Sequence, residues 1–98
     1  MITERRIYTP KPGAGQLTQH LRTLQSATTD AGFPPISIYR KVIGPHGILV
    51  TDQKWPSLGI YDEARSKVRN TKTITDIFSK IYPLLASTHV TEIYEDLE

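Results

Sequence analysis

Apolar and polar positions follow two different periods along this chain, and the switches between them outline its elements. Ile2 to Thr9 holds Ile2, Thr3, Ile7, Tyr8 and Thr9, residue types that suit a pleated strand. Pro10-Lys11-Pro12-Gly13 stops it. From Gln16 to Ala31 the period becomes helical, with Leu17, Leu21, Leu24, Thr28 and Ala31 on one stripe. Gly32 and Pro34-Pro35 end that helix. Ile36 to Ile43 and Ile48 to Lys54 read as two strands, joined through Gly44-Pro45-His46-Gly47 as a hairpin. Ser57 is placed to cap a second helix, whose stripe is Leu58, Tyr61, Ala64 and Val68 and which ends near Asn70. A third helix starts near Thr73, with Asp76 as a weak capping-box partner and Ile74, Ile77, Phe78, Ile81 and Leu85 as its stripe. Pro83 cannot sit in a regular helix, so the pattern predicts an end near Tyr82 or a kink. His89 to Tyr94 is the last strand, and Glu95-Asp96-Leu97-Glu98 an acidic tail expected to fray.

The order β-α-β-β-(α-α)-β is the split βαβ, ferredoxin-like arrangement: an α+β fold with a four-stranded antiparallel sheet and helices on one face. With 98 residues there is room for a single domain, residues 1–98. The other face of the sheet must be solvated, liganded or covered. Ile7, Tyr39 and Leu49 alternate with Ile2, Ile38 and Ile48, so both faces are expected to carry apolar groups. A second copy of the chain is the simplest cover, and two such sheets packed face to face make a dimeric α/β barrel.

Composition removes several function classes. Twelve Lys+Arg against ten Asp+Glu leave a net charge of +2 without a basic block, so nucleic-acid binding through counterion release is disfavoured. The absence of cysteine excludes disulfides, thiol catalysis and thiolate-bound metal. No apolar run has the ~18 residues of a membrane span, and the N-terminus has no signal-peptide core, so a soluble cytoplasmic protein is expected. Neither a Gly-x-Gly-x-x-Gly nor a Walker motif is present.

Two segments, Glu4-Arg5-Arg6-Ile7-Tyr8-Thr9 followed by Lys11-Pro12-Gly13, and Trp55-Pro56-Ser57-Leu58 followed by Tyr61-Asp62-Glu63-Ala64-Arg65, carry a likeness. They resemble the first strand and second helix of NIPSNAP-like proteins of the dimeric α/β-barrel superfamily. Between its two later helices this chain has Asn70-Thr71-Lys72-Thr73 where the family often has Asp-Pro-Glu-Trp, so no site is carried over there. The superfamily includes cofactor-free monooxygenases, haem-degrading enzymes, dehydratases and isomerases, and the fold does not choose among them.

The candidate chemistry is therefore read from side chains. His20, His46 and His89 show no metal-ligand spacing, and neither a metal nor a cofactor is implied. Taking about 100° per residue, His20 lies about 60° from Leu17, at the edge of the first helix's apolar stripe, where an imidazole could act as a general base or a haem ligand. A half-buried structural histidine is the plainer alternative. His46 belongs to a turn, and His89 could cap a helix end or reach across a dimer. Arg6 and Tyr8 share a strand face, and Arg40 lies in the second strand; together they could hold an enolate or carboxylate oxygen. Ion pairing of these arginines with Glu4, Asp52 or Glu92 is the structural alternative. Trp55 could wall a pocket, and Tyr39 could rim one or, with Lys41, serve an RNA-binding sheet.

The expectation is a small-molecule binder or cofactor-free enzyme acting by proton transfer or monooxygenation on a small polar aromatic or enolisable substrate. In it His20, Tyr8 and Arg40 are catalytic, and Arg6, Trp55 and Tyr39 bind ligand. The alternative is a non-enzymatic structural or regulatory dimer, with an RNA-binding module behind it.

Overall fold

A computed structural model describes residues 1–97. The elements are β1 (Ile2–Tyr8), α1 (Leu17–Asp30), β2 (Ile36–Arg40), β3 (Leu49–Trp55), α2 (Leu58–Arg69), α3 (Lys72–Ile81), a short 3-10 turn (Tyr82–Leu84) and β4 (Val90–Glu95). The strands form one antiparallel sheet in the order β2-β3-β1-β4, the ferredoxin-like α+β architecture.

The register assigns the two faces. Arg6 pairs with Thr51 and Thr91, and Glu4 with Gln53 and Ile93. Alternation then puts Ile2, Glu4, Arg6 and Tyr8 on the face covered by helices, and Thr3, Arg5 and Ile7 on the open face. The core forms where Tyr8, Ile36 and Leu49 of the sheet meet Leu17, Leu21 and Leu24 of α1 and Ile74, Ile77 and Ile81 of α3. Each fully buried leucine or isoleucine is worth about 1.5–3 kcal/mol, so this cluster holds both helices to the sheet.

The helix ends follow local chemistry. After α1, Gly32 adopts a left-handed φ of 84°, and the N–H groups of Gly32 and Phe33 return to the carbonyls of Thr29 and Thr28. The Ser57 hydroxyl accepts the Ile60 N–H at 3.2 Å and caps α2. α3 stops at Ile81 and Pro83 sits in the 3-10 turn, which spares the helix a missing donor.

Several expectations are corrected. β2 ends at Arg40 and β3 begins at Leu49, so the connection is longer than a tight hairpin turn. Val42 and Ile43 are strand-forming types, yet both are 92% exposed in that loop. Leu49 shares the covered face with Ile2 and Ile38, not the open face with Ile7 and Tyr39. Thr71, not Thr73, precedes α3, and Asp76 pairs with Lys72 at 2.8 Å in place of a capping box. The C-terminal tail is tied down as far as Asp96, which bonds Thr3 and Lys54 and donates its N–H to the Met1 carbonyl. Glu98 lies outside the described residues. α2 has the predicted periodicity but buries no residue; Leu58 is 54% exposed. The reason is the space beneath it.

Candidate functional site

A cavity of about 710 Å3 opens between α2, α3 and the covered face of the sheet. Its floor includes Glu4, Arg6, Gln53, Trp55 and Ile93; α2 contributes Tyr61, Arg65 and Val68, and α3 contributes Phe78. Tyr82 and His89 close one side. This exceeds the ~300 Å3 at which ligand sites begin, and Leu58, Tyr61 and Val68 of the α2 stripe border it, which leaves α2 without a fully buried residue.

The site is organised by strand alternation. Glu4 and Arg6, two residues apart on β1, point the same way. Glu4 is 3% exposed, and its Oε2 accepts from Arg6 Nη2 at 3.2 Å and from the Tyr61 hydroxyl at 3.0 Å. The carboxylate thus joins β1 to α2. The Arg6 guanidinium lies 5.1 Å above the Phe78 ring centroid, a cation–π placement that leaves its edge free. Trp55 meets Tyr61 edge-on at 5.7 Å. Burial, followed by the Glu4 charge, raises the Tyr61 pKa and keeps the phenol a donor.

His89 occupies an aromatic box. Its ring stacks on Tyr82 at 5.9 Å and lies 5.4 Å from Tyr8 and 6.3 Å from Phe78. Burial and the nearby Arg6 charge lower its pKa, so the imidazole is neutral at physiological pH. Burial raises the pKa of Tyr8.

Four buried side-chain atoms have no hydrogen-bond partner among the described residues: Arg6 Nε, Tyr8 Oη, Trp55 Nε1 and His89 Nδ1. Leaving such a group unsatisfied costs about 1–3 kcal/mol, more for a charged one. Arg6, Trp55 and His89 line the cavity, and Tyr8 adjoins His89. Three of the four atoms are donors or can donate, and a neutral imidazole nitrogen can accept a proton. Among the described residues there is no group of three or more His, Asp or Glu side chains placed to hold a metal ion.

The structure brings together only part of the expected set. Arg6 and Trp55 line the cavity, and Tyr8 stands beside His89. His20 is half-buried on α1 and lines neither this cavity nor a smaller one of about 400 Å3 beside β2. Arg40 and Tyr39 border that smaller cavity together with Arg22. Arg5, not Arg6, takes Asp52, through two bonds of 2.8 and 2.9 Å. From the sequence, Glu4 reads only as an ion-pair partner, His89 only as a cap or dimer contact and Phe78 only as a packing residue, while Tyr61 is one of five tyrosines suited to an interface or pocket rim. The i,i+2 spacing of Glu4 and Arg6 was an available signal; nothing local marks His89.

No protein-family model matches the sequence, and no curated protein matches it. Solved structures do. A NIPSNAP-domain protein from Burkholderia xenovorans superposes with a TM-score of 0.77 at 13% identity, covering 98% of this chain and 94% of that one. The fold is NIPSNAP-like. A NIPSNAP-family protein of unknown function from Agrobacterium tumefaciens gives 0.78 at 20% identity over 98% of this chain and 87% of its own. A structure described as an antibiotic biosynthesis monooxygenase gives 0.78 at 15% identity with complete coverage of both chains. At these identities the likeness establishes the NIPSNAP-like fold alone. Among the described residues no helix is long and apolar enough to cross a membrane.

Proposed function

We propose that this NIPSNAP-like domain binds a small planar ligand bearing a carbonyl or hydroxyl group beneath α2, and removes a proton from it. The carrying observation is the set of unpartnered Arg6, Trp55 and His89 atoms around one 710 Å3 cavity. Arg6 Nε donates to the ligand oxygen. Phe78, Tyr82 and Trp55 supply flat apolar walls. Neutral His89 takes the proton at Nδ1, and the electron pair of the broken C–H or O–H bond stays on the ligand as an enolate or phenolate, beside the Arg6 cation. This assigns the base to His89 in place of His20. Proton removal is also the step that would precede isomerisation or cofactor-free oxygenation, and the monooxygenase of similar fold is consistent with either course.

The test is hydrogen–deuterium exchange at the α-carbon of 2-tetralone, an enolisable aromatic ketone, followed by NMR in D2O. The wild-type chain is expected to accelerate exchange, and His89→Ala to lose at least about tenfold of that acceleration. Exchange at the buffer rate with the wild-type protein would overturn the proposal.

The open face supports a homodimer as the working unit. Tyr39, Val90 and Tyr94 are 52%, 54% and 43% exposed there, while the Arg5 charge is already met by Asp52. Burying this face against a second copy covers its apolar groups without stranding that cation. Native mass spectrometry should show twice the chain mass, and Val90→Asp should shift it to the monomer. A wild-type monomer at micromolar concentration would count against the pairing.

A further inference from the structure

Arg6, the deeply placed cation among the described lining residues, arrives already neutralised. We infer that Glu4 sets the charge specificity of the site, so that it takes neutral carbonyl or hydroxyl ligands and rejects carboxylates. The inference rests on the cavity reading above and adds the charge class of the ligand.

Arg6 alone would make an anion site, since a guanidinium is well shaped to hold a carboxylate. Here the partner is built in: Glu4 Oε2 holds Arg6 Nη2 at 3.2 Å, on a side chain only 3% exposed. Tyr61 donates its hydroxyl to the same oxygen, so it supplies a donor to Glu4 and not to an incoming anion. Among the nitrogens left to Arg6, Nε is buried without a partner, an N–H that can meet an acceptor oxygen. That suits a neutral acceptor oxygen. A ligand carboxylate would bring a second negative charge close to Glu4 without a second buried cation, and a desolvated unmatched anion is strongly disfavoured.

The other charged lining residues do not reverse this balance. Asp62, Arg65 and Arg69 all lie on α2 and are exposed, and Arg65 sits 3.9 Å from Asp62 and 5.9 Å from the Tyr61 ring centroid. Charges in such positions are screened and act on approach more than on final affinity.

The experiment is calorimetric titration at pH 7.5 with an isosteric pair, 2-acetylnaphthalene and 2-naphthoate, in which a methyl group stands where the second carboxylate oxygen would be. Wild-type protein should bind the ketone at least about tenfold more tightly than the anion. Apolar preference alone could produce that ratio, so Glu4→Gln decides. The amide keeps the volume and an acceptor for Arg6 and Tyr61 but loses the charge. It should shift the ratio of the two affinities about tenfold towards naphthoate. Tighter wild-type binding of naphthoate than of the ketone would overturn the inference while leaving the cavity reading intact. So would an unchanged ratio in a folded Glu4→Gln protein. Should neither compound bind the wild type, the cavity reading itself fails and this one with it. Tighter wild-type binding of naphthoate overturns the inference whether or not the variant folds.

Discussion

Arg5 and Arg6 stand side by side on β1 and point to opposite faces of one sheet. Arg5, on the open face, has a two-pronged partner: Asp52 takes it through two bonds, and its guanidinium also lies 5.3 Å from the Tyr94 ring centroid. Neighbouring groups there are paired as well, Lys54 with Asp96 and Tyr94 with Glu92. Arg6, on the covered face, has one bond to Glu4, and its Nε is unpartnered. The usual expectation is reversed. Exposed groups can rely on water and here have partners, whereas buried groups need partners and here lack them. A face whose polar groups are mutually satisfied is suited to being covered, and a cavity whose polar groups are unsatisfied is suited to being filled.

The sharpest way to break that contrast is to remove each arginine in turn. Arg6→Ala leaves Glu4 buried without its cation, and stranding one member of a buried pair costs about 3–5 kcal/mol. Urea unfolding should show a loss of that size. A loss below 1 kcal/mol would mean that Glu4 is far better solvated than its 3% exposure implies. Next comes Tyr61→Phe, which deletes the hydroxyl held by Glu4 at 3.0 Å. A hydrogen bond to a charged group is worth about 1.5–3 kcal/mol, and because Tyr61 is only partly buried the lower end applies. Because this bond ties α2 to the sheet, amide exchange in α2 should quicken more than in α1 or α3.

The same contrast explains how much was legible before the structure. Strand alternation puts Arg6 with Tyr8 on one face but does not say which arginine meets Asp52, whereas Pro83 and Ser57 mark helix boundaries through chemistry that needs no tertiary context. The α2 stripe was read with the right period and the wrong consequence. Periodicity says which side chains share a face and says nothing about whether that face meets protein or empty space. Val42 and Ile43 have strand propensity but no strand to pair with, so propensity overran the end of β2. His20 and His89 show the largest gap. The edge of a helical stripe made His20 conspicuous, whereas His89 reaches the site only because the connection into β4 passes beside Tyr8, Phe78 and Tyr82. That proximity is a property of the assembled sheet, and no short spacing encodes it.

Arg5→Ala is the counterpart with a smaller effect. The Arg5 side chain is 40% exposed, and an ion pair at such a site contributes about 0.2–1 kcal/mol. Stability should fall within that range, and tetralone exchange should keep its wild-type rate. A large loss of exchange activity would show that the two faces are coupled and that the contrast between them is too simple.

The smallest effect concerns protons. In the folded chain the His89 pKa is lowered from the ordinary 6.5, first by burial and then by the Arg6 charge. Glu4 opposes the shift, but Arg6 and Tyr61 already occupy it. Above pH 6.5 the imidazole is neutral whether the chain is folded or not, and it costs nothing. As the pH falls below 6.5 the unfolded chain takes up a proton that the folded chain refuses, so stability drops until the lowered folded value is passed. His89→Gln should remove this part of the acid dependence, and wild-type and variant urea midpoints should therefore converge as the pH falls from 7.5 towards 5. The same neutral form is the proton acceptor, so the acid limb of tetralone exchange should lie below pH 6.5 in the wild type. A limb above 6.5 would mean that Glu4, not Arg6, governs the imidazole, and the charge balance drawn for the cavity would have to be redrawn around it.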